Sequence, residues 1–328
     1  MRRVAVVTGA SAGVGRAVVR EFARRGYDVG LIARGEEGLQ GAAAEVAALG
    51  RRATYVITDV ADGEAVERAA ARIEEVLGPI DVWTNVAFSN VFAEFKDLTM
   101  AEYRRITEVT YLGYVHGTMA ALGRMLPRNR GVIVQVGSAL AYRSIPLQSA
   151  YCGAKSAIRG FTDSLRSELI HDGSAVRVAM AILPAVNTPQ FSWCRSKLPR
   201  KAQPVPPIFQ PEVIARGIVW LAMHPRRELR IGWSTLKALF GQIVAPGLLD
   251  RLLAKSGYSG QQYDGSVDPH KPDNLESPLP GDWGAHGAFD TRARSHSTQL
   301  WFATHPYWPL AAITGVVLLA SLGRKALR

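Results

Sequence analysis

The 328-residue chain has few of the residues that build disulfide bonds or metal sites. It contains two cysteines, Cys152 and Cys194, which are too few for a disulfide framework and favour a reducing compartment. Its seven histidines are scattered, and no cluster of histidine, cysteine and carboxylate side chains has the spacing of metal ligands. We therefore expect no metal ion, and we expect the protein in the cytoplasm or on the cytoplasmic side of a membrane.

The sequence shows neither an internal repeat nor a nucleic-acid-binding motif, and its beginning indicates no leader. An apolar, strand-like run begins within three residues of Met1, so we expect no signal segment. A net charge of +11 would suit nucleic acid, but the basic residues are dispersed over helices and loops. We expect no nucleic-acid partner and consider a membrane surface the better match for the charge.

Apolar strand-like runs alternate with helical stretches along the first two thirds of the chain. The runs lie at 3–7, 28–33, 53–57, 80–84, 131–137 and 176–182. This alternation is typical of an α/β fold in which helices cover both faces of a parallel sheet. We therefore predict a doubly wound parallel sheet in one catalytic domain.

A glycine-rich turn follows the first predicted strand and opens an amphipathic helix. Gly9, Gly13 and Gly15 give the spacing G-x-x-x-G-x-G. Residues without a Cβ allow a tight turn and bring backbone N–H groups against a phosphate at the helix N-terminus. In this strand–turn–helix context the pattern predicts a dinucleotide site. The alternative is a turn that only closes a βα unit.

Three residues have the types and spacing for proton transfer to a carbonyl oxygen. Tyr151 and Lys155 share one helical face, and Ser138 ends the preceding apolar run. An ammonium group near a phenol favours the phenolate and lowers the phenol's pKa towards neutral pH. We predict that Tyr151 exchanges the proton, Lys155 tunes it and Ser138 holds the substrate oxygen. Alone, Tyr-x-x-x-Lys would be an ordinary surface pair.

With both motifs in order, residues 1–232 resemble the short-chain dehydrogenase/reductase family. The matching features are the T-G-A-S-A-G-V-G-R turn, the Asp59-Val60 pair, Ser138, and Tyr151-x-x-x-Lys155. The resemblance implies a Rossmann fold, a nicotinamide cofactor, and a lysine that also binds the nicotinamide ribose. The implied cofactor contacts are Gly9, Ser11, Gly13, Val14, Gly15, Asp59, Val60, Asn85, Ala87, Tyr151, Lys155, Pro184 and Thr188.

Two positions depart from the family pattern. Phe88 stands where a glycine usually lies beside the cofactor, so either the loop shifts or the ring turns towards the substrate. Thr110 stands where an asparagine commonly holds a proton-relaying water, and a hydroxyl has one donor where an amide has two. We keep Thr110 as a catalytic candidate. Tyr111, Tyr114 and His116 could replace it or could be packing residues.

Cofactor choice depends on the residues that end the second predicted strand. Enzymes that select NAD(H) usually place an acid there, whereas this chain has Ala33 followed by Arg34. A guanidinium group binds a phosphate through paired hydrogen bonds and stacks on adenine. We therefore predict NADP(H) over NAD(H), with Arg34 on the 2′-phosphate. The alternative is a solvent-facing Arg34.

The segment 190–211 is rich in proline and includes Phe191, Trp193, Ile208 and Phe209. In the family this segment forms the substrate lid, and its apolar side chains would suit a hydrophobic, lipid- or steroid-like substrate. A proline-stiffened surface loop is the alternative.

Beyond residue 232 the resemblance fades. Residues 233–255 predict an amphipathic helical pair broken at Pro246-Gly247, and 256–300 predict an irregular linker or wrap. Residues 301–328 form a hydrophobic segment with aromatic residues at one end and basic residues at the other. We interpret this segment as a possible membrane anchor; docking on a partner subunit is the alternative. A homo-oligomer is expected from the family.

Together these features predict an NADP(H)-dependent oxidoreductase that acts on the CH–OH group or carbonyl of an apolar small molecule. The alternative is a cofactor-binding regulatory or scaffolding protein of the same fold with little catalysis.

Overall fold

The computed structural model describes residues 3–268 and 271–305. Its strands are β1 (Arg3–Thr8), β2 (Tyr27–Ala33), β3 (Ala53–Ile57), β4 (Ile80–Asn85), β5 (Val91–Phe92), β6 (Val132–Ser138), β7 (Arg177–Leu183), β8 (Ala185–Val186), β9 (Arg195–Ser196), β10 (Arg200–Ala202), β11 (Ile208–Phe209), β12 (Glu228–Arg230) and β13 (Gln262–Ser266). Its helices are α1 (Gly13–Arg24), α2 (Glu36–Ala48), α3 (Gly63–Leu77), α4 (Met100–Thr107), α5 (Gly113–Met125), α6 (Ser149–His171), α7 (Gln190–Trp193), α8 (Pro211–Met223), α9 (Trp233–Val244), α10 (Pro246–Gly260) and α11 (Thr298–Thr304).

Seven parallel strands form the central sheet in the order β12-β7-β6-β4-β1-β2-β3. The chain winds outward from β1 through β2 to β3, then returns to β4 and winds through β6 and β7 to β12. This topology confirms the predicted doubly wound α/β fold. The six predicted strands agree with the observed strands to within one residue at each end. The short edge strand β12 was not predicted.

Two apolar cores lie on opposite faces of the sheet, because successive side chains of a strand point to opposite sides. In β1, Ala5 and Val7 pack with the side chains of α1, α2 and α8, whereas Val4 and Val6 pack with those of α3, α5 and α6. A central parallel strand that is buried on both faces favours a continuous apolar run, which explains V-A-V-V at positions 4–7.

The C-terminal extension packs on this domain. Helices α9 and α10 meet at Ala245, and α10 continues to Gly260, five residues beyond the predicted helical end. The predicted irregular stretch contains β13, which pairs antiparallel with β10, and a bridge from Arg294 to Phe209. Helix α11 packs near α8. The described residues of this stretch, 256–268 and 271–300, combine irregular chain with short helical and strand elements.

Most of the hydrophobic C-terminal segment lies outside the described residues, since the structure describes it only to His305. Within 3–268 and 271–305, no helix combines the length and the apolar character needed to cross a bilayer.

The turn between β1 and α1 depends on glycine at a close backbone contact. Gly9 has φ +68°, and a Cβ added to Gly15 would lie 2.0 Å from the carbonyl oxygen of Gly9.

We expect Gly15→Ala to lower the free energy of unfolding by at least about 1–3 kcal/mol, because the backbone at Gly9 would have to move. Gly160→Ala is the control, since it lies inside α6 with open space around its Cβ position. That change should stabilise the protein by about 0.5–1 kcal/mol. Equal effects in urea unfolding would contradict this account of the turn.

Candidate active site

The glycine-rich turn forms the floor of a cavity at the carboxyl edge of the sheet, which we call the turn cavity. Its walls come from the ends of β1, β2, β3 and β4. Of the predicted cofactor-binding residues, those that line it are Gly9, Ser11, Gly13, Val14, Gly15, Arg34, Asp59, Val60, Ala87 and Thr188. The outer side of the turn cavity is formed by the extension, through Asn274, Pro278, Leu279, Gly281 and Trp283.

Residues 274–284, which we call the strap, are attached to the turn cavity at several points. The buried Arg16 guanidinium donates two hydrogen bonds of 3.0 Å to the Asp282 carboxylate. The N–H of Gly13 donates to the carbonyl of Gly284 at 2.9 Å. The strap therefore closes over the N-terminus of α1, where a phosphate would be expected.

Arg34 is held by the other end of the strap. Its guanidinium donates to the backbone carbonyls of Asn274, Leu275 and Glu276, at 3.2 Å for Leu275 and 2.8 Å for Glu276. The side chain is partly buried and lines the turn cavity, so it is not the solvent-facing residue of the alternative interpretation. Three carbonyls of the strap therefore fix the Arg34 guanidinium at the edge of the turn cavity.

Asp59 lies two residues after β3 and carries a carboxylate at the same end of the turn cavity. It accepts a hydrogen bond from the N–H of Ala61 at 3.0 Å and pairs with the Arg105 guanidinium. Burial raises the pKa of this carboxyl, but the Ala61 hydrogen bond and Arg105 outweigh it and hold the pKa below its ordinary value. Asp59 is therefore ionised at neutral pH and fixed in orientation.

A second cavity, the Tyr151 pocket, adjoins the first. It is lined by Ser138 at the end of β6 and by Tyr151 and Lys155 on α6, and it includes Pro184. The residues that line both cavities are Val14, Val86, Phe88, Asn90, Thr188 and Gln190. Three of the four predicted catalytic residues, Ser138, Tyr151 and Lys155, thus lie together beside the junction of the two cavities.

The ionisation of Tyr151 differs from the sequence-based expectation. Burial raises the pKa of the Tyr151 phenol well above its ordinary value, and a hydrogen bond with Ser138 opposes this only in part. Burial also lowers the pKa of Lys155 from 10.5 to about 7. Lys155 Nζ lies 5.7 Å from the centroid of the Tyr151 ring, and its hydrogen bonds go to Tyr114 and Val136. Desolvation therefore outweighs the expected effect of the ammonium group.

Tyr114, one of the three residues that the sequence offered as a replacement for Thr110 or as packing, is the side-chain partner of Lys155. Lys155 Nζ donates to the Tyr114 hydroxyl at 2.9 Å and to the Val136 carbonyl at 2.8 Å. The Tyr114 hydroxyl in turn donates to the Val136 carbonyl at 3.0 Å. The available signal was its position four residues, one helical turn, after Thr110.

Thr110 and Asn85, predicted as a catalytic and a cofactor-binding residue, line neither cavity. The Thr110 hydroxyl is fully buried, donates to the Ser89 carbonyl and accepts from the Ser89 N–H, each at 2.9 Å. A π-helical turn, Glu108–Leu112, carries it there. The Asn85 amide donates to Gln135 at 3.0 Å and accepts from Trp83 at 2.8 Å. Both side chains hold the fold together behind the site.

Phe88 resolves the choice left open by the sequence, because its ring turns towards Tyr151. The two rings make an edge-on contact with centroids 5.7 Å apart. Phe88 therefore replaces the usual glycine by forming an apolar wall at the junction of the cavities.

The Tyr151 pocket is mainly apolar and has a volume of about 360 Å³. Three stretches of chain supply its apolar walls: 183–191, 203–206 and the pair α9–α10. Phe191 belongs to this wall, but Trp193 lines the turn cavity instead, and Ile208 and Phe209 are buried in the fold. Within the described part of the chain, no group of three or more His, Cys, Asp or Glu side chains is arranged to hold a metal ion.

Comparisons with known proteins agree with this geometry. A model of the short chain dehydrogenase family matches residues 3–198. YxnA, an uncharacterized oxidoreductase of Bacillus subtilis, is 31% identical over 329 residues, which cover 98% of this chain and 91% of that protein. The similarity to YxnA therefore includes the C-terminal extension.

Two further proteins are similar over the catalytic domain. The 3-ketodihydrosphingosine reductase of Bos taurus is 30% identical over 235 residues, covering 69% of this chain and 70% of that protein. An alcohol dehydrogenase of the archaeon Thermococcus sibiricus, solved with 5-hydroxy-NADP, matches with a TM-score of 0.61 and 28% identity. That match covers 70% of this chain and 96% of the alcohol dehydrogenase.

The burial of Lys155 predicts a pH-dependent gain in stability when the charge is removed. Its folded pKa of about 7 lies below the unfolded value of 10.5, so the cost of burying the ammonium is complete below about pH 7 and disappears as pH rises to 10.5. We expect Lys155→Met to raise the free energy of unfolding by a few kcal/mol at about pH 6.5, and the gain to shrink towards pH 9.

The control for this test is Lys237→Met, which removes an exposed lysine from α9. It should change the free energy of unfolding little and equally at both pH values. A Lys155→Met protein that is less stable than the parent at pH 6.5 would contradict the burial argument.

Proposed function

The chain belongs to the short-chain dehydrogenase family, and on that basis we propose that it transfers a hydride between NADP(H) and a carbonyl or secondary alcohol of an apolar substrate. The observation that carries the proposal is the position of Ser138, Tyr151 and Lys155 beside the junction of two cavities. One cavity has the glycine-rich turn of a dinucleotide site, and the other has apolar walls suited to a hydrophobic substrate.

Each of the three residues has a role that follows from its surroundings. In the reductive direction, Ser138 Oγ donates a hydrogen bond to the carbonyl oxygen, and the Tyr151 hydroxyl donates the proton to it as the alcohol forms. A nicotinamide cofactor held by the residues of the turn cavity would supply the hydride. Lys155, with a pKa of about 7, exchanges protons readily at neutral pH and stands ready to stabilise a Tyr151 phenolate.

Tyr114 is proposed to take over part of the task that the family assigns to the residue at position 110. Its hydroxyl and the Val136 carbonyl hold Lys155 Nζ in a fixed direction, while the Thr110 hydroxyl is occupied by Ser89. Tyr114 is therefore a positioning residue, since it acts on the reaction only through Lys155.

Selection of NADP(H) is attributed to Arg34, supported by the absence of an acid at the end of β2. Arg34 lines the turn cavity beside Gly35 and Asp59. The alcohol dehydrogenase of Thermococcus sibiricus carries an NADP derivative, which agrees with the same choice here. The strap carbonyls orient the guanidinium and leave its remaining donors for a phosphate.

The substrate is proposed to be lipid-like. A largely apolar pocket of about 360 Å³ is in the size range of sites that take drug-sized, mostly hydrophobic molecules. The bovine relative is named as a reductase of 3-ketodihydrosphingosine, a ketone whose name places it among lipids. A long-chain ketone is therefore the first class of compound to assay.

A second candidate function is a nucleotide-binding regulatory protein with little catalysis. The observation that favours it is the engagement of the Thr110 hydroxyl with Ser89, which removes the family's usual relay position from the site. It predicts nucleotide binding without turnover over a broad carbonyl panel. Homo-oligomerisation and anchoring by residues 301–328 stay predictions, and 306–328 lie outside the described residues.

Replacement of the proton donor tests the proposed reaction. Tyr151→Phe should lower kcat for a long-chain ketone by about 10²–10⁴-fold, because proton transfer is lost, while NADPH affinity changes little. Tyr111→Phe is the control, since Tyr111 packs against Phe161 and lines neither cavity. Steady-state turnover and NADPH titration measure the two quantities. Retained turnover in Tyr151→Phe would exclude Tyr151 as the proton donor.

A further inference from the structure

The helices α9 and α10 expose apolar side chains on the face turned away from the catalytic domain, which we call the outer face. On α9, Phe240 is 68% exposed, Ile243 is 81% exposed and Val244 is 63% exposed. Leu248 and Leu252 on α10 are also exposed. Apolar groups clustered in this way on a helical pair are typical of an interaction surface.

The outer face is continuous with the Tyr151 pocket. Leu252 is half exposed and also lines the pocket, as do its neighbours Leu249 and Leu253. Ala238 on α9 lines the pocket as well. Leu252 therefore belongs both to the outer face and to the wall of the pocket.

The charges around the outer face favour an anionic surface. Lys237, Arg251 and Lys255 are exposed on the two helices, and the one acid of this pair, Asp250, is paired with Arg143 at 2.6 Å. The whole chain carries a net charge of +11. Basic residues beside apolar side chains on amphipathic helices are the pattern of interfacial binding to anionic lipids.

The last described helix, α11, is hydrogen-bonded to α9. The Trp233 indole of α9 donates to Thr298 of α11 at 3.2 Å, and the description ends one residue after α11. In sequence, Trp308 to Leu322 are fifteen residues without a charge, followed by Arg324 and Lys325. A second apolar, basic-flanked segment therefore follows directly on the helix that is hydrogen-bonded to α9.

We propose that the outer face of α9–α10 is a docking surface for a bilayer that contains anionic lipid, with Phe240, Ile243, Val244 and Leu248 inserted among the lipid headgroups. The arrangement gives the pocket an opening onto the membrane. Docking of the outer face does not depend on the reaction proposed above, so it can be tested separately from catalysis.

An environment-sensitive fluorophore at position 243 tests the docking directly. Ile243→Cys on α9 and Ile170→Cys on α6 form a matched pair, because Ile243 is 81% and Ile170 is 76% exposed and each is the penultimate residue of its helix. The native Cys152 and Cys194 are buried and should not be labelled. The full-length labelled proteins are mixed with phosphatidylcholine vesicles that contain about one third phosphatidylglycerol.

We expect the fluorescence emission of the label at position 243 to shift to the blue when anionic vesicles are added. The emission of the label at position 170 should not shift. With vesicles of pure phosphatidylcholine, the shift at position 243 should be weaker. Binding to the vesicles is checked separately by flotation in a density gradient. Protein that floats with the vesicles but shows no shift at position 243 would contact the membrane elsewhere, and this result would overturn the proposal. A shift at both positions would do the same, since it would be nonspecific.

Two other occupants of the outer face give distinct results. A blue shift at 243 that appears without vesicles and grows with protein concentration would show a second copy on the face. A blue shift that is present without vesicles at every concentration would show the chain's own segment 306–328 there. Either result would overturn docking to a bilayer.

Discussion

The carboxyl edge of the parallel sheet is the constraint on which the site depends. Because all seven strands point the same way, the segments that follow β1, β2, β4, β6 and β7 must meet at one edge. The glycine turn begins directly after such a strand end, and Arg34, Phe88, Ser138 and Pro184 each lie within three residues of one. The parallel direction of the strands therefore brings these residues of the proposed site to one edge of the sheet. The C-terminal extension closes the turn cavity from outside.

The buried Lys155 links the fold to the proposed chemistry. Its side chain is 2% exposed, and desolvation lowers its pKa to about 7, a cost that the fold bears in order to keep an amine beside Tyr151. The Val136 carbonyl and the Tyr114 hydroxyl satisfy its donors. A titratable group that is buried where its charged form is disfavoured is typical of a functional site.

The sequence predicted those parts of the structure that depend on local pattern. The strands, the glycine turn and the Ser138–Tyr151–Lys155 set follow from apolar periodicity and motif spacing. It did not predict that Thr110 turns to Ser89, because a π-helical turn rotates the side chain, nor that the strap reaches Arg34, because that contact joins residues about 240 apart in sequence. Both depend on tertiary packing, which no local pattern encodes.

The most direct test of the account is a side-by-side titration of the purified full-length protein with NADPH and NADH. Trp193 and Trp283 line the turn cavity, so their fluorescence should report on a nucleotide that binds there. The account predicts saturable quenching, with NADPH binding at least about tenfold more tightly than NADH, because Arg34 contributes a charge-assisted contact to the 2′-phosphate. Failure of both nucleotides to bind would contradict the dinucleotide site, and the proposed reaction with it.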